Sequence, residues 1–101
     1  MSITEVLKDW SDAKTWCSNY GTGWYLPSLD ELKVIYNNKS AINSTLSANG
    51  STSLVTGYYW SSAEYYTSAS TLSFSNGNSR SVSKSDTYNV RAVLAFYLKY
   101  F

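Results

Sequence analysis

The spacing of apolar residues predicts helices in the first half of the chain and strands in the second. Apolar residues three and four positions apart line one face of a helix. The first such set is Ala13, Trp16, Cys17 and Tyr20. Ser11 is the predicted N-cap of this helix, because its side chain can accept a hydrogen bond from a backbone amide of the first turn. Gly21 is its predicted end.

A capping box predicts the start of a second helix. Ser28 and Glu31 stand three positions apart, so each side chain can bond the other's backbone amide, and Pro27 precedes them. The predicted buried face consists of Leu29, Leu32, Ile35 and Tyr36. A short third helix is predicted over residues 40–46, with Ile42 and Leu46 on one face.

From Ser51 onward the apolar period changes to two, which is typical of strands. A strand is predicted to start at residues 58–60, and apolar and serine positions alternate over residues 72–75. Asn76-Gly77 then predicts a two-residue hairpin turn, where a positive φ is readily adopted.

The run of residues 90–96 is apolar on both faces apart from Arg91, which predicts a central strand covered on both sides. Helices followed by an antiparallel sheet make the predicted fold class α+β. We expect one domain over residues 1–101, with a helical half at about 10–50 and a strand-rich half at about 51–101.

Composition narrows the functional classes. The net charge of +1 lacks the basic excess of nucleic-acid-binding proteins, so no nucleic-acid partner is expected. No apolar run reaches 18 residues, so no membrane insertion is expected. The first residues lack the pattern of a signal peptide, so the chain is either made without secretion or part of a longer protein.

The residues that commonly carry catalysis are scarce. The chain has no histidine and one cysteine, so we expect no enzyme, metal site or cofactor. Cys17 is assigned to the core, and Asp30 and Glu31 to the first turn of a helix, where carboxylates favour the dipole. Glu64 is left with two roles, orienting a sugar hydroxyl or bonding a backbone amide or Arg91.

The strand-rich half suggests a binding surface instead. Between its framework residues stand Ser, Thr, Tyr and Asn, the residues with which antibody paratopes contact diverse ligands. Trp60 is assigned to the core rather than to the contacts. The predicted contact residues are Tyr65, Tyr66, Thr67, Ser68, Ser70, Ser73, Ser75, Ser79, Ser81, Ser83, Ser85, Asp86 and Tyr88.

Three sequence blocks resemble a bacterial and phage branch of the C-type-lectin-like fold. They are GWYLPSLDEL at residues 23–32, YWSSAE at residues 59–64, and NVRAV at residues 89–93 followed by Phe96. That branch includes the C-terminal domains of collagen-like adhesins and formylglycine-generating-enzyme-like domains. Leu94 departs from the pattern, because many relatives carry a second Arg there.

The resemblance implies two or three helices on a twisted antiparallel sheet, with a ligand surface on late strands and loops. The Glu-Pro-Asn and Trp-Asn-Asp motifs of calcium-dependent sugar binding are missing, as is the C-terminal cysteine pair of the oxidases. The scaffold therefore carries over without those chemistries. The implied partner is a protein or glycan ligand on a cell surface, with the domain on a virion or cell surface within a larger assembly.

Some proteins of this fold are the variable proteins of diversity-generating retroelements, which mutate adenines chiefly in asparagine codons. Single changes there give Tyr, His, Asp, Ser, Thr or Ile. From Tyr65 to Asn89, 18 of 25 residues are Asn or belong to that set, against 29 of 57 in residues 1–57. Two interpretations stay open, a diversified receptor-binding protein and a glycan-binding or adhesion module of fixed specificity.

Overall fold

The computed structural model describes residues 1–94 as three helices packed on a five-stranded sheet. In chain order the elements are β1 (Val6–Lys8), α1 (Trp10–Tyr20), α2 (Leu29–Asn37), α3 (Lys39–Ala48), β2 (Tyr58–Tyr65), β3 (Ser68–Ser73), β4 (Ser79–Ser83) and β5 (Tyr88–Val90). Within residues 1–94 the strands lie in the order β1-β5-β2-β3-β4, and β2–β5 is the one parallel pair, so the sheet is mixed where an antiparallel one was predicted. The predicted α+β class is confirmed. Within residues 1–94, no helix has the length and apolarity that crossing a membrane requires.

The two predicted N-caps have different outcomes. The capping box is confirmed, since Glu31 N donates to Ser28 Oγ over 3.1 Å and Ser28 N donates to Glu31 Oε1 over 2.8 Å. Ser11 is wrong as the cap of α1, because Asp9 takes that position and accepts from Asp12 N over 2.9 Å. The helix starts earlier because Trp10 belongs to its buried face.

The third helix is longer than predicted. It spans Lys39–Ala48, and Asn38 is at once the C-cap of α2 and the N-cap of α3. Ile42 and Leu46 are buried, as their spacing predicts. The buried residues of α2 and α3 belong to one core cluster.

The sheet has a core on each face. Tyr59 and Trp60 are both fully buried and point to opposite sides, as neighbours on a strand do. The cluster on the α1 side contains Trp10, Ala13, Cys17, Leu26, Trp60, Ala69, Val82, Val90 and Ala92. The cluster on the α2–α3 side contains Leu32, Ile35, Ile42, Leu46, Leu54, Tyr59, Leu72, Phe74 and Val93.

The strand predicted over residues 90–96 is wrong in its bounds, because the central strand β5 spans Tyr88–Val90 and shares only Val90 with the prediction. β5 ends at Val90 and lies between β1 and β2, while Val93 forms an isolated bridge with Tyr25. Residues 95 and 96 of the predicted strand lie outside the described residues. The strand stops where Arg91, which is 1% exposed, turns its side chain into a polar network.

That network fixes the N-terminal segment against the core. Arg91 Nε lies 2.8 Å from Glu5 Oε1, and Nη1 donates to Ser2 O over 2.9 Å. The Tyr59 hydroxyl also donates to Glu5, over 2.7 Å, and its pKa is raised chiefly by burial, so the proton stays in place. The suggested contact between Glu64 and Arg91 is therefore wrong, since Glu5 is the partner of Arg91.

The hairpin between β3 and β4 is confirmed, but its loop is longer than two residues. Gly77 adopts the predicted positive φ, at 77°. Ser73 N donates to Asn78 O over 2.9 Å, so the loop spans residues 74–78. The side chain of Phe74 within this loop is fully buried. A Cβ on Gly77 would come within 2.7 Å of the Tyr36 ring, so glycine also permits the close approach to α2.

Candidate ligand-binding face

The register of the β3–β4 hairpin separates polar from framework positions. Ser70 pairs with Ser81 and Ala69 pairs with Val82. Paired residues share a face, and successive residues alternate between faces. Ala69 and Val82 are buried against the α1 side, so the serines beside them point away from that core.

Six side chains share the polar side of this hairpin, and we call this set the serine–tyrosine face. Its members are Tyr65, Ser68, Ser70, Ser79, Ser81 and Ser83. Tyr65 joins the set by pairing with Ser68, and its side chain is 73% exposed. The three serines of β4 are exposed and the two of β3 are half-buried.

A strained turn stands at the end of this face. Tyr66 and Thr67 connect β2 to β3, and Tyr66 has φ 52°. The left-handed region costs a residue with a Cβ roughly 1–2 kcal/mol. Tyr66 is 80% exposed, and its ring centroid lies 4.4 Å from that of Tyr65 with the planes 75° apart. Two large aromatic side chains therefore project at the β2–β3 turn, at the opposite end of β3 from the Gly77 loop.

The turn after β4 adjoins the β2–β3 turn. Lys84 N donates to Thr67 O over 3.0 Å, which brings the two turns together. Ser85 Oγ lies 2.9 Å from Ser83 Oγ, and Ser85 and Asp86 are exposed. Tyr66, Thr67, Ser85 and Asp86 thus extend the serine–tyrosine face at one end.

Three predicted contacts lie apart from this surface. Ser73 is 2% exposed, and its Oγ lies 2.8 Å from Ser75 Oγ in the loop at the far end of the hairpin. Tyr88 is half-buried on the opposite face of the sheet, with its ring centroid 5.2 Å from that of Trp60 and 5.9 Å from that of Tyr58. A list of polar residue types could not distinguish these positions, since the strand register and core packing decide their placement.

The charged groups beside the hairpin are paired with each other. Glu64 Oε1 lies 2.7 Å from Lys84 Nζ, and this hydrogen bond holds the pKa of Glu64 below its usual range. Lys84 Nζ also lies 4.3 Å from the centroid of the Trp10 ring. Of the roles predicted for Glu64, a structural one is favoured, although its partner is a lysine.

Two residues assigned to the core are there. Trp60 and Cys17 are both fully buried. Burial raises the pKa of the Cys17 thiol to about 12, so the thiol stays protonated at neutral pH and is a poor nucleophile. Across residues 1–94, no three His, Cys, Asp or Glu side chains cluster closely enough to hold a metal ion.

Comparison with known families completes the description. Residues 2–94, nearly the whole chain, match the family of Lcl C-terminal domains. No curated protein matches the chain. The match supports a lectin-like module of the adhesin type. The chain therefore belongs to the Lcl C-terminal domain family, within the bacterial and phage branch of C-type-lectin-like domains that its three sequence blocks resemble.

Proposed function

We propose that the domain displays the serine–tyrosine face to a protein or glycan ligand on a cell surface and has no catalytic role. The observation that carries this proposal is the segregation within one hairpin. Ala69 and Val82 are buried in the core, while the serines next to them lie on the other face, where Ser81 is exposed and Ser70 is half-buried.

The side-chain chemistry of the face suits contact with varied ligands. Serine hydroxyls donate and accept hydrogen bonds with little conformational entropy to lose, and tyrosines provide rigid contact area. The face is built on paired strands, which position side chains more accurately than loops do. Tyr65 and Tyr66 would contribute most of the apolar contact area because they are the most exposed large side chains of the hairpin.

We further propose that this face is diversified. The polar residues of the face belong to the set reached from asparagine codons by adenine changes, and they are exposed or half-buried. Two buried residues of that set are exceptions: Thr71 Oγ1 donates to Arg80 O over 3.0 Å, and Ser73 is held by its own turn. We expect those two positions to stay constant while the exposed ones vary.

Sequencing the DNA around the gene tests diversification. The expected result is a second, imperfect copy of codons 60–96 that differs only where it holds adenines, with differences opposite Tyr65, Ser68 and Ser81. Codons for Thr71 and Ser73 should be identical in both copies. If no second copy exists, or if the differences fall on buried codons, the diversified version is wrong.

A fixed-specificity glycan-binding module is the second candidate, favoured by the regular hydroxyl pairs Ser68/Ser83 and Ser70/Ser81 on one face. A glycan array tests it directly. One reproducible sugar ligand is expected, with the signal lost in Ser81→Lys and retained in Ser44→Lys, a matched change on the exposed side of α3. A signal retained in Ser81→Lys would remove the serine–tyrosine face from glycan binding.

A further inference from the structure

A cleft of about 480 Å³ lies between α1, the segment before α2, and β2. Three of its lining residues come from α1, two from the segment before α2, and one from β2. They are Lys14, Thr15, Ser18, Tyr25, Leu26 and Ser62. This volume falls in the range of small-molecule sites, roughly 300–1,000 Å³.

The walls of the cleft are held by main-chain bonds. Tyr25 exchanges two backbone hydrogen bonds with Val93, of 3.0 and 2.9 Å. Ser62 N donates to Pro27 O over 2.8 Å, where β2 departs from regular pairing between Trp60 and Glu64. The cleft is therefore formed before any ligand enters, which lowers the ordering cost of binding.

The cleft carries a positive charge that its surroundings compensate only in part. Lys14 Nζ and Lys84 Nζ lie 4.5 and 4.3 Å from the centroid of the same Trp10 ring. Glu64 forms its ion pair with Lys84, and among residues 1–94 no carboxylate lies within ion-pair distance of Lys14. Of the six residues that line the cleft, Lys14 is the charged one, and its ammonium group, which also acts on Glu64, favours an anionic group on a ligand.

The other polar groups of the cleft offer acceptors. The hydroxyls of Thr15 and Ser18 donate to the backbone oxygens of Ser11 and Thr15, so their protons are used and their oxygens remain available as acceptors. These acceptors are neutral, which suits an amide N–H better than an ammonium group. Tyr25 and Leu26 are the apolar residues of the lining, and Leu26 is 4% exposed.

We propose that this cleft binds an N-acylated apolar α-amino acid, the chemistry of the C-terminal residue of a peptide. Its carboxylate pairs with Lys14, its amide N–H donates to a hydroxyl of Thr15 or Ser18, and its apolar side chain lies on Leu26 and Tyr25. The proposal concerns a site separate from the serine–tyrosine face and does not depend on the function proposed for that face.

Titration of the ¹⁵N-labelled domain with N-acetyl-L-phenylalanine tests the proposal. We expect saturable amide shifts at Lys14, Ser18 and Leu26, with a Kd of about 1 mM. N-acetyl-L-phenylalanine amide, which lacks the carboxylate, and L-phenylalanine, which carries an ammonium group, should each bind about tenfold more weakly. Equal binding of all three, or shifts elsewhere only, would overturn the assignment.

Variants and a second probe complete the test. Lys14→Met should weaken binding about tenfold, because the charge-assisted bond is lost, whereas Lys33→Met on the exposed side of α2 should not. Lys14→Met could disturb the packing on Trp10, so Ser18→Trp serves as a second variant. Its indole should fill the cleft and abolish binding. Tighter binding of Gly-Gly-Phe than of N-acetyl-L-phenylalanine would identify a peptide C-terminus as the source, and equal binding a free acylated amino acid. Unchanged binding in both cleft variants would refute the site.

Discussion

On one face of the β3–β4 hairpin Ala69, Thr71 and Val82 are buried, whereas on the other Ser81 and Ser83 are exposed to solvent. The two faces are formed by alternate residues of the same two strands, so the course of the backbone does not explain the difference. What differs is the cover: α1 and its core lie on one side, whereas on the other side the α2–α3 cluster buries Leu72 and leaves Ser81 and Ser83 exposed. Fold stability and surface chemistry can therefore change independently along alternate positions of one strand.

The largest effect is expected where the buried face meets its core. Trp60→Ala removes a fully buried indole and its hydrogen bond from Nε1 to Lys8 O, which spans 2.8 Å. We expect a loss of about 3–5 kcal/mol in the free energy of unfolding. Urea unfolding followed by far-UV circular dichroism measures it, and a loss below about 1 kcal/mol would contradict the core assignment.

A comparison of two tyrosines sharpens the distinction between faces. Tyr88→Ser should destabilise the domain by about 2 kcal/mol, because its ring packs on Trp60 and Tyr58. Tyr65→Ser should stay within about 0.5 kcal/mol, because that ring is mostly in solvent. Thermal unfolding of both variants tests the pair, and equal losses would show that the faces are not separate.

Two hydroxyl residues on adjacent strands make a smaller and more specific contrast. Thr71→Ala removes the donor to Arg80 O at a fully buried position, so we expect a loss of about 1–2 kcal/mol. Ser81→Ala on the exposed face should change the free energy of unfolding by no more than about 0.5 kcal/mol. Parallel urea titrations measure both, and a larger loss for Ser81→Ala would reverse the interpretation.

The smallest expected effect has the opposite sign. Tyr66→Asn should stabilise the domain by about 0.5–1 kcal/mol, because asparagine tolerates the left-handed φ better than tyrosine does. Tyr65→Asn, at an exposed strand position with ordinary φ, should bring no gain and serves as the control. A gain in both variants, or in neither, would show that the turn stores no strain.

Much of the fold could be predicted from local patterns. The capping box at Ser28 and the alternation around Leu72 are short-range signals, and both lead to the observed elements. β1 escaped prediction because three residues carry little periodicity, and its partner β5 lies some eighty positions away in the sequence. The bounds of the last strand were also mispredicted: it ends at Val90, and the Arg91 side chain that follows bonds Glu5, a contact that no local pattern encodes.

The candidate site was predicted in composition but not in geometry. Alternation alone placed Ser79, Ser81 and Ser83 together, as the register shows. It could not separate Tyr88, since its packing on Trp60 depends on the parallel contact between β2 and β5. The cleft beside Lys14 was missed altogether, because its walls come from three distant segments that share no motif.

The most direct test of the central claim is a site-saturation scan of residues 65–89, scored for folded protein displayed on yeast. We predict that positions 68, 70, 79, 81 and 83 accept most amino acids, whereas Ala69, Thr71 and Val82 on the other face accept few. That result would show a hairpin whose one face holds the fold while the other is free to change its contacts. Equal intolerance on both faces would contradict the account, because the serine–tyrosine face would then be part of the structural framework.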